Sequence, residues 1–168
     1  TGILPHIEFK LKSNEEKERC EYTKLLARLF SDKNSELATK HPDIWKSFLG
    51  RFRDISITVR MRCVQYSMHF LVNHPDLRND ITEQLKQRQH DADENVRYEV
   101  VMAIISAGKK GIENINEDLL GFVKVSLPFV SLDFSQTIHV LLVAPTGTNI
   151  GQKIQNSTRS FDGNGTVV

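Results

Sequence analysis

The chain has 168 residues, with 22 Lys and Arg against 21 Asp and Glu and a formal net charge of +1. So even a balance gives no field that would gather a polyanion over the whole molecule, and DNA binding is not indicated by charge. No run of about 18 apolar residues follows in sequence, so no membrane-spanning helix is expected, and TGILPHIEFK lacks the basic start of a secretory leader.

Charge is distributed unevenly along the chain. Residues 1–124 hold 39 charged side chains, whereas 125–168 hold only Lys153, Arg159, Asp133 and Asp162. Two unlike parts are therefore expected, an all-α segment over 3–124 and an irregular or disordered tail over 125–168.

Taken in chain order, the apolar spacing predicts helices near 3–12 and 15–31, then 35–53 with a possible break before Pro42, then 56–73, 75–89, 93–109 and 112–124. Ile57, Met61, Val64, Met68 and Leu71 step by four and three along one helix, and Val96, Val100, Ala103 and Ala107 along another. Ile44, Trp45, Phe48, Leu49 and Phe52, with Leu77, Ile81 and Leu85, supply the facing stripes. These positions are the candidate core.

A repeat underlies the pattern. Asp54, Val59 and Arg60 recur as Asp91, Val96 and Arg97 at a spacing of 37 residues, and Ser13 with Arg19 forms a weaker copy 41 residues before Arg60. Helix pairs repeating at this period are the mark of a HEAT-type α-solenoid, in which each pair buries its face only against its neighbours. Three pairs and one further helix follow, and the end helices should expose apolar surface, with poor solubility in isolation. The Asp or Ser is expected to cap the second helix of each pair, and Ser13 with Glu16 and Asp91 with Glu94 have capping-box spacing. The Arg is expected to reach the Asp of an adjacent repeat. As a partly exposed ladder, each such pair would contribute about 0–1 kcal/mol.

Several motifs have a bland and a sharp reading. His-Pro-Asp occurs at 41–43 and 74–76, the signature of co-chaperones that stimulate an ATPase, but no strongly basic helix precedes either copy. A helix start explains it better, since Pro suits the first helical position and Asp the first turn. Cys20 and Cys63 lack metal spacing and are expected as reduced thiols, and no histidine pair has ligand spacing, so no metal site is expected. No nucleophile turn accompanies Ser, His and Asp, so catalysis is not expected. Lys109 and Lys110 precede Gly111 at a helix end, where they offset the negative dipole or, on the sharper reading, bind a polyanion. The Gly147–Lys153 stretch has the wrong spacing for a phosphate loop, and the sequons at Asn156 and Asn164 are chance without a secretory signal.

The wording of the repeats is more specific than the fold. LPHIEFKLKSN (4–14), KLLARLF (24–30), SELATK (35–40), FLGRFRDI (48–55), NHPDL (73–77), DITEQLK (80–86), VRYEVV (96–101), AGKKGI (107–112) and NEDLLGFV (116–123) together resemble the Pds-five cohesin regulators. The resemblance implies a nuclear, non-enzymatic scaffold that associates with the cohesin kleisin subunit and with the cohesin-release factor, mostly through regions outside this stretch. It implies roles in sister-chromatid cohesion, mitosis and DNA repair. It also implies an inositol polyphosphate ligand, for which Lys109 and Lys110 are the matching residues here. A HEAT adaptor of another kind, for transport or phosphatase assembly, is the alternative.

The resemblance stops after Lys124. Lys124-Val125-Ser126 is what AAG followed by GTAAGT or GTGAGT would encode, so the tail is expected to come from a retained intron or an unspliced gene model. A downstream exon encoding it would contradict that. The absent initiator Met suggests a fragment. If the tail is genuine protein, 138–144 could form a strand or pack on the last helix, and 145–168 should be disordered.

Overall fold

The computed structural model describes residues 2–126, and the expectations for the tail beyond Ser126 fall outside them. The helices are α1 (Ile3–Leu11), α2 (Glu16–Ser31), α3 (Leu37–Lys40), α4 (Pro42–Gly50), α5 (Ile57–Asn73), α6 (Arg78–Arg88), α7 (Glu94–Lys110) and α8 (Glu117–Ser126), with short 3₁₀ turns at Arg51–Arg53 and Ile112–Asn114. No strand occurs among the described residues. Helices α2, α5 and α7 form one layer, with α5 packed between the other two. In the other layer, α1 packs on α2 and α4, α6 packs on α5 and α7, and α8 closes on α7. This is a helical-pair solenoid segment.

Helix boundaries follow local chemistry. The expected 35–53 helix is broken at His41, whose φ of −132° and ψ of 66° lie outside the helical region, because a residue before proline is pushed toward extended backbone. Pro42 then opens α4 with Asp43 in its first turn. His74 has the same displaced backbone before Pro75. There, however, Leu77 N–H closes a turn on the His74 carbonyl at 3.1 Å, so α6 starts at Arg78 rather than at 75. The last helix also starts later than 112. Asn116 Oδ1 accepts from Leu119 N–H at 3.0 Å, a side-chain cap that sets the start of α8.

One contiguous hydrophobic core runs through the stack. Its densest part is aromatic: Phe30 of α2, Trp45 and Phe48 of α4 and Phe70 of α5 meet with ring centroids 5.2–5.7 Å apart. Phe48 and Phe70 are fully buried, and truncating either would cost about 3–5 kcal/mol. The Trp45 indole N–H donates to Asp80 Oδ2 at 2.8 Å, so the second pair is also tied to the third by a polar contact. On α5 the buried stripe is Val59, Cys63, Val64, Ser67, Phe70 and Leu71. Ile57, expected in the core, is 44% exposed, and Met61, Met68 and Leu49 are half-buried. Ile57 is the first residue of α5, so no preceding turn brings cover to its side. Val96, Val100, Ala103 and Ala107 of α7 are all buried.

Candidate functional site

The repeated polar residues converge on the junctions between helix pairs. Arg19 of α2 donates from Nε and Nη2 to Asp54 at 3.0 and 3.1 Å, and Arg60 of α5 donates from the same two nitrogens to Asp91 at 2.9 Å each. Each guanidinium thus forms a two-bond fork with a carboxylate of the next repeat. Its third nitrogen turns back onto its own repeat. Arg19 Nη1 donates to the Ser13 and Asn14 carbonyls, and Arg60 Nη1 to those of Asp54 and Ile55. One side chain therefore holds a loop and a neighbour together.

The aspartates are saturated. Asp54 also accepts from Arg51 Nη1 at 2.9 Å and from Ser56 N–H at 2.9 Å, and Asp91 from Arg88 Nη1 at 2.8 Å and from Asp93 N–H at 3.0 Å. Arg51 reaches back as well, to the Leu11 carbonyl at 3.1 Å. Arg51 and Arg88 each precede an aspartate by three residues and are themselves 37 apart. The repeat is therefore Arg-x2-Asp-x5-Arg, and its first arginine was a readable signal that the shorter motif left out.

Two expectations need correction. The aspartates do not cap the second helices; the caps stand two residues later, where Ser56 Oγ accepts from Val59 N–H and the Asp93 carboxylate accepts from Asn95 and Val96 N–H. Ser13 accepts from Glu15 N–H, and no side chain caps α2, so neither capping box forms. The ladder is also not partly exposed. The Asp54 and Asp91 side chains are each 2% exposed, against 7% for Arg19 and 12% for Arg60, which is the buried regime. There, removing one partner strands a charge and costs about 3–5 kcal/mol.

Burial by itself would push both carboxyls up, but the arginine forks, the backbone N–H bonds and the nearby guanidinium charges outweigh it. Asp54 and Asp91 are held below the usual carboxylate range. Arg97 shows half of the pattern. Its Nη1 donates to the Asp91 and Ala92 carbonyls at 2.6 and 3.1 Å, as in the earlier repeats, and no carboxylate meets its other nitrogens among the described residues.

Further repeat-to-repeat bonds flank the ladder. Asn73 Nδ2 donates to the Ser31 carbonyl and Gln65 Nε2 to Glu99, while Arg78 reaches the Glu113 carbonyl and Asn114 Oδ1. His74 Nε2 lies 2.7 Å from the Asp32 carbonyl and must donate to it. With His74 only 5% exposed and bonded to the end of the preceding pair, the second His-Pro-Asp is a turn whose histidine is tied into the stack, while Pro75 and Asp76 are exposed. Lys109 and Lys110 are exposed in the last turn of α7. No cluster of three or more metal-ligating side chains occurs among the described residues. Cys20 and Cys63 are free thiols, and burial pushes the Cys63 thiol up, which keeps it unreactive.

Residues 1–125 match the family described as sister chromatid cohesion protein PDS5. The chain belongs to the PDS5 family. It is 52% identical over 123 residues to PDS5 homolog A of Danio rerio, and 48% identical to PDS5 homolog B of Homo sapiens over the same length. In both, the match covers 73% of this chain but only 9% and 8% of the relative, so the chain spans less than a tenth of the PDS5 proteins it matches. Among solved structures, the one described as the Pds5-Scc1 complex superposes with a TM-score of 0.71 at 19% identity, over 92% of this chain and 25% of that one. That likeness shows the fold.

Proposed function

We propose that this chain is a non-enzymatic scaffold segment of a cohesin-associated regulator of sister-chromatid cohesion and cohesin release, acting in the nucleus. The PDS5 family match across residues 1–125 carries the reading. A solenoid of this kind works by presenting a long, rigid surface, and the buried forks between repeats supply the rigidity. A cohesin kleisin is the natural partner, since the solved neighbour was determined as a complex with Scc1. The release factor follows from the same family role. Because the segment is under a tenth of its relatives' length, its share of that work is to hold flanking surfaces in register. Affinity capture from cells tests this directly: the full-length protein carrying this segment should retain cohesin, and deletion of 3–124 should reduce the yield several-fold. Equal cohesin recovery from both forms would contradict it.

Lys109 and Lys110 are proposed as contributors to an inositol polyphosphate site. Two adjacent exposed cations where a helix ends place two positive charges together at the surface, where phosphates can reach them. Inositol hexakisphosphate titrated by calorimetry should bind in a salt-dependent way, and Lys109→Glu with Lys110→Glu should weaken it about tenfold or more. Unchanged affinity in that variant would remove both residues from the site.

A further inference from the structure

The rim along which α2, α5 and α7 begin carries an apolar feature in the middle of the stack, with a repeat on either side of it. The forks set the three helix starts side by side, Arg19 reaching Asp54 and Arg60 reaching Asp91. At the start of α5 the chain alternates as a strand does. Asp54 and Ser56, with ψ of 149° and 126°, run extended and are buried, while Ile55 and Ile57 face outward, 90% and 44% exposed. Beyond the first helix pair, the other large apolar side chain exposed among the described residues is Tyr98. It belongs to α7, the last described helix of its layer, so its exposure decides nothing.

Aligned on Arg19, Arg60 and Arg97, the positions of Ile55 and Ile57 hold Asn14 and Glu16 in the first repeat and Ala92 and Glu94 in the third, and the residue between them is Glu15, Ser56 or Asp93. The rim therefore reads acidic, apolar, acidic from α2 to α7. Offsetting the helix dipole accounts for the acids of α2 and α7, yet the first turn of α5 has none. The apolar centre is also rigid, because Arg60 Nη1 bonds the Asp54 and Ile55 carbonyls and Ser56 caps α5. A side chain exposed on a fixed backbone loses little freedom on contact. Most nearby cations are committed elsewhere. Arg19 stands beside Glu15 and Glu16 but spends its nitrogens on Asp54 and two carbonyls, Lys12 pairs with Glu8, and Arg53 donates to Gln87. Lys17, exposed next to Glu16, offsets part of the first acidic pair.

We propose that this rim docks an extended segment of another protein, in which a large apolar side chain is flanked on both sides by Lys or Arg. The apolar residue packs on Ile55 and Ile57, and the basic residues meet Glu15 and Glu16 on one side and Asp93 and Glu94 on the other. Charge complementarity selects the partner's flanks, and the two isoleucines set its register. Neighbouring helices stand about 8–10 Å apart, and an extended chain rises about 3.3 Å per residue. The basic residues therefore fall about three positions from the apolar one. So small a contact, well under roughly 800 Å² per partner, is weak, reversible and sensitive to salt.

Fluorescence anisotropy of a labelled peptide, KRGSLSGRK, tests this against the full 168-residue chain and against the full-length protein that carries it. The expected result is saturable binding at about 100 μM in low salt. Replacing the peptide's leucine by glycine should weaken it about tenfold. Ile55→Asn should do the same with helical circular dichroism unchanged, since it copies the Asn14 of the first repeat. Glu16→Gln/Glu94→Gln should weaken binding by a similar factor and flatten its salt dependence. No saturable binding, or binding indifferent to Ile55→Asn, would overturn the proposal. Equal binding of the glycine peptide would also overturn it, reducing the rim to a diffuse acidic surface. Binding by the 168-residue chain but not by the full-length protein would overturn it too, and would assign the rim to another part of the longer chain.

Discussion

Asp54 and Asp91 gather three kinds of partner each: the forked arginine of the preceding repeat, an arginine three residues upstream and a backbone N–H two residues on. Their folded-state proton affinity lies below the ordinary value of 3.8. A carboxyl depressed on folding stabilises the native state fully above its unfolded pKa, and that stabilisation is lost as pH falls through the folded pKa. The melting midpoint should therefore be insensitive to these groups at neutral pH and fall below pH about 4. In Asp54→Asn/Asp91→Asn the chain should be less stable at neutral pH, and that acid drop should shrink. An acid profile of the same steepness in the variant would show that other carboxylates are responsible.

These aspartates show what the sequence could and could not disclose. Their 37-residue recurrence was readable, and so was their junction with arginine. The helix caps stand two positions later than the recurrence suggests, at Ser56 and Asp93. Asp-x-Ser and Asp-x-Asp each offer two side chains able to accept from a helix start, and only the backbone path decides which caps. Arg51 and Arg88 recur at the same spacing and were legible in principle, but an arginine before a helix break reads equally well as a solvated end. Burial was the harder quantity. No pattern of charges says that Asp54 is 2% exposed, because the cover comes from α2, a neighbour distant in sequence.

At the scale of elements, α2, α5 and α7 carry the same arginine with unequal completion. Arg19 and Arg60 fill all three nitrogens, whereas Arg97 holds only the loop carbonyls among the described residues. Arg60→Ala should cost about 3–5 kcal/mol, since it strands Asp91 in the interior. Arg97→Ala should cost nearer 1 kcal/mol, the worth of ordinary hydrogen bonds. Urea unfolding of the two variants measures the difference, and equal losses would mean that the fork adds nothing to the loop contacts. Helix breaks were the most legible elements: the prolines of the two His-Pro-Asp tripeptides displaced the residue before them, at His41 and His74. Periodicity did less well at a helix end, where Ile57 fits the stripe but has no turn below it to cover it.

Across the whole molecule, the chain is a short run of a PDS5 solenoid whose pairs share one continuous core. Apolar contact alone would let such layers slide, because packed faces of Val, Leu and Ala tolerate several registers. The forks do not, since two parallel bonds to one carboxylate fix both distance and orientation. Register along the stack is then what the ladder contributes to a scaffold, and the spacing of any partner surfaces depends on it.

The most direct test is a double-mutant cycle on the Arg60–Asp91 junction, with Arg60→Ala, Asp91→Ala and the pair compared by urea unfolding. A buried fork predicts strong coupling, about 1.5 kcal/mol or more, with the double variant far less destabilised than the two single losses added together. Additivity to within about 0.3 kcal/mol would contradict it and reduce the ladder to two independent side chains.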